Sequence, residues 1–440
     1  MPKMKFSGYE YIGNIPINWN LKKIKYVYNI QTGFTPDTSR DDYYSENSKN
    51  TWVSIADLTN NVGKEIIDSS NYISDIYLRE KKPKRIKKGS LLYSFKLSVG
   101  KTAFAGKDLY TNEAIASFES NNEVCLDYLN YASFLIEQNA NKNIYNAFIL
   151  NQELIKNSIT IVPPIEEQRL IADFLDEKVD TIDNIICDLN YQIEVLNNYK
   201  DSLILESVSK GLIEHTYKNN NNKWFSIIPA NWQFIALKRV TDILTCGYAS
   251  TPDYVDEKEG ILFLSAQNIQ NGKIDLSIKK YIPKELHKSL VRNKHAKVGD
   301  ILQVRVGATI GKTAIVNINE DFSYYVSLTH IRANKLINNR YLNYILSTDT
   351  FKQMVSLDVD FAGTQGNLNV SDLREAKIPL PPIDEQIKIA DYLDKKCSEI
   401  DEILNSKIKQ KEQMEQYKKS VIYEYVTGKK RVEGAEELYG

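Results

Sequence analysis

Between residues 163 and 212 the apolar positions fall at Ile171, Phe174, Leu175, Val179, Ile182, Ile186, Leu189, Ile193, Leu196, Leu203 and Ile204, mostly three or four apart. That spacing draws a single stripe along a helix. From Ile182 to Leu196 the steps alternate four and three, the period of a coiled-coil seam, so Ile182, Ile186, Leu189, Ile193 and Leu196 are assigned to that seam. Pro163 and Pro164 stand before the stripe and Gly211 after it, marking its start and stop. At 1.5 Å per residue, a helix of about 44 residues spans roughly 66 Å. The pattern returns at residues 381–428 through Ile389, Leu393, Ile400, Leu404, Met414 and Val421, with Lys407 and Lys411 where the first stretch has Leu189 and Ile193. Ile400, Leu404 and Met414 are the facing seam, and an antiparallel pairing of the two helices would bury the stripe while the lysine heads reach water.

The two stretches are one element written twice. Pro163 to Asp183 and Pro381 to Asp401 are identical at 13 of 21 positions at a constant offset of 218. Weaker echoes precede each copy in the same order: Ile15-Pro16-Ile17-Asn18-Trp19 against Ile228-Pro229-Ala230-Asn231-Trp232, Thr35-Pro36-Asp37 against Thr251-Pro252-Asp253, and the run from Lys87 against the run from Lys297. Their offsets drift between 210 and 216, the mark of insertions and deletions in loops on a shared scaffold. Short apolar, β-branched runs such as Ser90 to Phe95 and Asp300 to Val306 read as strands between glycine turns. Helical patterns surround them, as at Leu126 to Gln138 and Arg340 to Val355. The fold class predicted is α+β, with two mixed α/β heads at residues 1–162 and 213–380. Long antiparallel helices at 163–212 and 381–428 join them, a tail follows at 429–440, and an internal pseudo-twofold repeat relates the halves.

Length and composition fit this plan: 440 residues and 50.5 kDa exceed the usual size of one core, and 42% hydrophobic with 26% charged residues is ordinary for a folded chain. No apolar run approaches the roughly 20 residues needed to cross a bilayer, and the first residues carry no apolar signal core, so a cytoplasmic chain without membrane contact is expected. Cys125, Cys187, Cys246 and Cys397 lack zinc or redox spacing, and the four histidines never stand four apart, so reduced thiols and no structural metal are expected. The net charge of −1 hides a segregation: the two helical stretches carry −9 and the two heads +8. Modestly basic heads on acidic struts suit a chain that meets phosphate in two places.

Six of the eight residues from Lys81 to Lys88 are basic, and the matching stretch holds Arg292, Lys294, His295 and Lys297. Lys84, Arg85 and Lys294 are therefore candidate phosphate contacts, weighed against a plain solvated loop. Gly100-Lys101-Thr102 and Gly311-Lys312-Thr313 resemble the end of a P-loop, but Phe95 and Val306 stand where that loop needs glycine, so a turn between strands is the better reading. Lys101 and Lys312 join the phosphate candidates. Lys96 and Arg305, just ahead of these turns, with Gln365 and Asn367 of the amide-rich loop Phe361 to Leu373, are candidate base-facing residues, since amides can bond two edge groups of adenine. Ser371 could equally begin a helix there. Asp253, Asp256, Glu257 and Lys258 lack the two-strand separation of a nuclease metal site. The prolines sit in Val162-Pro-Pro-Ile165 and Leu380-Pro-Pro-Ile383, a helix start rather than the Asn/Asp-Pro-Pro-aromatic motif of amino-methylating enzymes.

Ile-Pro-x-Asn-Trp opening each head, a Gly-Lys turn inside it, and Pro-Pro-Ile-(Glu/Asp)-Glu-Gln opening each helix together resemble the DNA specificity subunit of type I restriction-modification systems over nearly the whole chain. The first head departs from the pattern, with Gly89-Ser90 for Gly-Asp and Phe148-Ile-Leu-Asn151 where the second has Gly366-Asn-Leu-Asn369. The resemblance implies a non-catalytic, cytoplasmic subunit that binds double-stranded DNA, each head reading one half of a bipartite site. It further implies docking of two methyltransferase subunits on the helices and association with motor-endonuclease subunits. S-adenosylmethionine, ATP and magnesium would then belong to the partners and no cofactor to this chain. Two alternatives remain at this point, a self-sufficient methyltransferase or nuclease, and a coiled-coil scaffold with protein-binding heads.

Overall fold

In the computed structural model of the chain, residues 3–46, 50–61, 63–96, 98–120, 124–142, 148–292, 295–355 and 367–434 are described. They form two compact units, Met1–Asp188 with Gln410–Gly440, and Leu189–Lys409, so each long helix contributes a segment to both.

The head of the first unit is built on a five-stranded sheet in the order Asn29–Thr32, Ile115–Glu119, Leu91–Ser94, Thr102–Ala105, Glu65–Ile66. The first three pairings are antiparallel and the last is parallel. Leu91, Tyr93, Phe104 and Phe118 on its strands bury their side chains with Ile24 and Val27 in one core. The apolar run that predicts a helix from Leu126 to Gln138 is two helices, Leu126–Ala132 and Phe134–Glu137, parted at Ser133. A two-stranded ladder of Asn20–Lys23 with Ile159–Val162 then leads into the long helix.

The second unit repeats this order. Its four-stranded antiparallel sheet runs Thr241–Cys246, Leu328–Ala333, Ile301–Val304, Thr313–Ile315. A three-stranded sheet beside it pairs Gly260–Leu264 in parallel with Phe322–Tyr324, as Trp52–Val53 pairs in parallel with Tyr110–Thr111 in the first unit. The predicted Arg340–Val355 helix is again split, into Asn339–Ser347 and Asp349–Val355, where the Thr348 hydroxyl caps the second piece by accepting from Phe351 N at 3.1 Å. A ladder of Gln233–Ala236 with Lys377–Leu380 leads into the other long helix.

The two long helices run over Ile165–Lys210 and Ile383–Val426, each opening directly after its proline pair, where a missing amide hydrogen costs nothing. Within each unit their segments are antiparallel. Lys418 Nζ lies 2.6 Å from Asp183 in the first unit and Lys200 Nζ 2.5 Å from Asp401 in the second, and the 218 offset turns one pair into the other. Along the seam Ile182, Leu189, Ile400 and Leu404 are buried, while Ile186, Ile193, Leu196 and Met414 are half-buried. Lys407 and Lys411, at the places of Leu189 and Ile193, are half-buried too. No helix among the described residues is long and apolar enough to cross a membrane.

Candidate nucleic-acid interface

Each head is fastened to the start of its helix by the residues that repeat most faithfully. Trp19 Nε1 donates to Glu167 Oε2 at 2.8 Å, and Trp232 Nε1 donates to Glu385 Oε2 at 3.1 Å. The indoles are buried and need a partner for their single donor, which the second acid of each Pro-Pro-Ile-x-Glu-Gln motif supplies. A second nitrogen stands at each carboxylate: Arg431 Nε at 3.2 Å from Glu167, His215 Nε2 at 2.9 Å from Glu385. The motif glutamine is a clamp. Gln168 Nε2 donates to Pro163 O at 2.7 Å while its Oε1 accepts from Cys125 N at 2.9 Å; Gln386 Nε2 donates to Pro381 O at 2.9 Å and its Oε1 accepts from Asn338 N at 2.7 Å.

Sequence reasoning missed a further pair of fasteners, although the identical tetrads Tyr128-Leu129-Asn130-Tyr131 and Tyr341-Leu342-Asn343-Tyr344 could have revealed it. Tyr128 and Tyr341 hydroxyls donate to the carbonyls of Val426 at 3.0 Å and Val208 at 3.1 Å, and so satisfy helix-end acceptors. Tyr131 and Tyr344 donate to Asp176 at 2.6 Å and Asp394 at 2.7 Å. Burial, then the neighbouring carboxylate, raises both phenols well above their ordinary value, so they stay neutral donors.

Each head also carries a polar hairpin end. Lys96 and Lys101 lie between Leu91–Ser94 and Thr102–Ala105; Arg305 and Lys312 lie between Ile301–Val304 and Thr313–Ile315. The turns close through Gly100 and Gly311 at φ +89° and +86°, a region that side chains rarely adopt. A strand follows each turn rather than a helix, so no helix N-terminus is there to cradle a phosphate. Lys96, Lys101 and Lys312 are exposed. Arg305 is half-buried and bonded to the segment that brings in Asn367. Lys84 and Arg85 are exposed at the opposite end of strand Leu91–Ser94, where Ile86 is pinned to Leu109 and Arg85 Nε stands 4.0 Å from Asp108. The structure thus gathers Lys96 with Lys101, and Arg305 with Lys312 and Asn367, but sets Lys84 and Arg85 apart. Lys294 and Gln365 lie outside the described residues. The helix that Ser371 could have begun is Val370–Glu375, with Asn369 in the capping position.

Two further features lie in the heads, and of these only the Gly299-Asp300 pair had shown in the sequence. Gly33 and Gly247 pass so close to the next strand that a Cβ would overlap the carbonyl oxygen of Thr111 in one head and of Tyr324 in the other. In the second head a largely buried polar network runs along the strand Leu328–Ala333. Asp300 accepts from Arg332 Nε and Nη2 at 2.8 Å and faces His330 Nε2 at 2.7 Å, and His330 Nδ1 stands 2.9 Å from the Tyr324 hydroxyl. Burial would raise the Asp300 carboxyl, but bonds from Arg332 and His330 outweigh it and hold the group well below the ordinary carboxylate range.

The family described as the type I restriction modification DNA specificity domain matches residues 16–195 and again 229–413. The MjaVIII specificity subunit of Methanocaldococcus jannaschii is 26% identical over 442 residues, covering 95% of this chain and 94% of the relative. The MjaX specificity subunit, designated putative, from the same organism is 27% identical over 447 residues, covering 96% of each. The EcoBI specificity subunit of Escherichia coli is 27% identical over 268 residues, 58% of this chain and 55% of the relative. A solved chain, described under complex assembly and conformational transition of the type I R-M system, shares the fold with a TM-score of 0.69 at 16% identity, over 94% of this chain and 99% of its own.

Proposed function

Since the chain belongs to the type I restriction modification DNA specificity family, we propose that it is the sequence-reading subunit of a type I restriction-modification complex. Each head reads one half of a bipartite duplex target, and the helix pair sets the gap between the halves. The observation that carries this reading is the duplication of the joint: Trp19 on Glu167 and Trp232 on Glu385 seat two heads that share a four-strand order on two helices by the same bonds. A chain that presents one reader twice suits a target with two parts.

In this reading Lys101 and Lys312 at the hairpin ends, and Lys84, Arg85 and Lys294 elsewhere, contact phosphate. Lys96, Gln365 and Asn367 approach base edges. Chemistry belongs to partners: methyltransferase subunits bring S-adenosylmethionine, motor-endonuclease subunits bring ATP and magnesium, and the complex works in the cytoplasm. The helices offer two equivalent docking places. At the 218 offset, Ile185 matches Ile403 and Tyr199 matches Tyr417, and all four are exposed, one Ile and one Tyr on the helix segments of each unit. That repetition supports two methyltransferase subunits as partners.

Methylome sequencing of cells with and without the chain tests the reading. One bipartite motif should lose its methylation when the chain is absent. An unchanged methylome would overturn the proposal, and S-adenosylmethionine binding or magnesium-dependent cleavage by the purified chain alone would overturn its non-catalytic part.

A further inference from the structure

We infer that Arg305 is a positioning residue of the second head: it does not read a base but fixes the orientation of the Asn367 amide, holding its oxygen and leaving its N–H donors for a base edge. The inference rests on the reading of this chain as a DNA reader and deepens it. Strand Ile301–Val304 is followed by Arg305, whose backbone N donates to Ser327 O at 2.9 Å and whose carbonyl accepts from Leu368 N at 2.9 Å. The guanidinium then reaches across. Its Nε donates to Leu368 O at 3.1 Å and its Nη2 to Asn367 Oδ1 at 3.0 Å, next to a one-residue β-bridge between Val306 and Asn367. Two bonds in a fixed fork, from a half-buried side chain, set both the backbone and the amide of the neighbouring segment.

The chemistry of the contact follows. A bidentate adenine contact needs the amide oxygen to accept from N6 while the nitrogen donates to N7. The bond from Arg305 holds Oδ1 toward the guanidinium and takes one of its two lone pairs, so the amide is fixed with its NH2 group, two N–H donors, as the branch left for a base. Its matching targets in the major groove are acceptors: guanine O6 and N7, adenine N7, or thymine O4. The first head has hydrocarbon at both places, Phe95 and Ile149, so the device belongs to one half-site only.

Three variants of the full chain, expressed with its methyltransferase, test this by methylome sequencing. Asn367→Asp keeps an acceptor for Arg305, indeed a charged one, but removes both donors. It should relax discrimination at one position of one half-site by about tenfold, at the low end for an edge contact, with the other half-site and complex assembly unchanged. Arg305→Lys keeps the charge and loses the fork, and should relax the same position. The double variant should lose no more than Asn367→Asp alone, because one residue acts through the other. Wild-type discrimination by Asn367→Asp, or additive losses in the double variant, would overturn the inference while leaving the bipartite reading intact. If no methylated motif depends on the wild-type chain, that reading itself fails.

Discussion

The two heads share a four-strand order and a joint, yet differ in their polar interiors. In the second, Asp300, His330, Arg332 and Tyr324 form a buried charged network. Strand register puts Ser90, Ser117, Glu119 and Thr111 at the matching places in the first. There the Thr111 hydroxyl is buried with no hydrogen-bond partner among the described residues. The joints, by contrast, keep their donors and acceptors in both copies: indole to carboxylate, glutamine clamp, tyrosine to helix-end carbonyl. The difference teaches that the repeated motifs are the chemistry of attachment, which cannot drift without unseating a head. Interiors and hairpin ends are free to diverge, which is where two readers of different sequences must differ.

The largest effect should come from breaking what the heads share. Trp19→Ala and Trp232→Ala each empty a buried indole site and leave Glu167 or Glu385 short of a donor, at a cost of about 3–5 kcal/mol to the head concerned. Denaturant unfolding combined with mapping of protease cuts should show the first head opening in one variant and the second in the other. Equal opening of both heads by either variant would refute the separate joints.

Next comes what they do not share. Asp300→Asn should cost the second head about 3 kcal/mol, because it leaves Arg332 without its carboxylate, while Ser90→Ala should barely disturb the first. The carboxyl of Asp300 is lowered by folding, so its contribution is complete above the ordinary carboxylate range, begins to fade as pH falls into that range and is lost only well below it. Thermal unfolding should therefore show the gap between wild type and Asp300→Asn closing as pH drops from about 5 toward 3. A gap that widened on acidification would contradict the network.

Smaller and symmetrical losses are expected from Gly33→Ala and Gly247→Ala, about 1–3 kcal/mol each, since the added methyl must push a neighbouring backbone carbonyl aside. Melting temperatures measured side by side would check the symmetry. Smallest of all, Lys200→Ala and Lys418→Ala remove ion pairs with half-exposed aspartates, and should cost no more than about 1 kcal/mol in the same assay.

Much of this comparison is legible in the sequence, for a physical reason. The helices are local: a stripe three or four residues apart, bounded by prolines and glycine, specifies them from Ile171 to Val421 without reference to anything distant. The duplication at offset 218 then implies two heads. Sheet order is another matter, because Asn29–Thr32 pairs with Ile115–Glu119 across more than 80 residues and leaves no local trace. The motif Pro-Pro-Ile-x-Glu-Gln is visible as a pattern, but that its Glu receives a tryptophan emerges only when the heads are folded. Gly33 and Gly247 look like ordinary turn glycines until the neighbouring strand is seen beside them. At the hairpin end, Arg305 and Asn367 are both legible as polar candidates; that one grips the other depends on a bridge between residues some sixty positions apart.

The most direct test of two independent readers on one frame is to exchange residues 213–380 for the second head of a relative with a different target and to sequence the methylome of cells carrying the hybrid. One half of the methylated motif should change while the other half and the gap between them stay as in the parent. A motif altered in both halves, or a gap of new length, would contradict it.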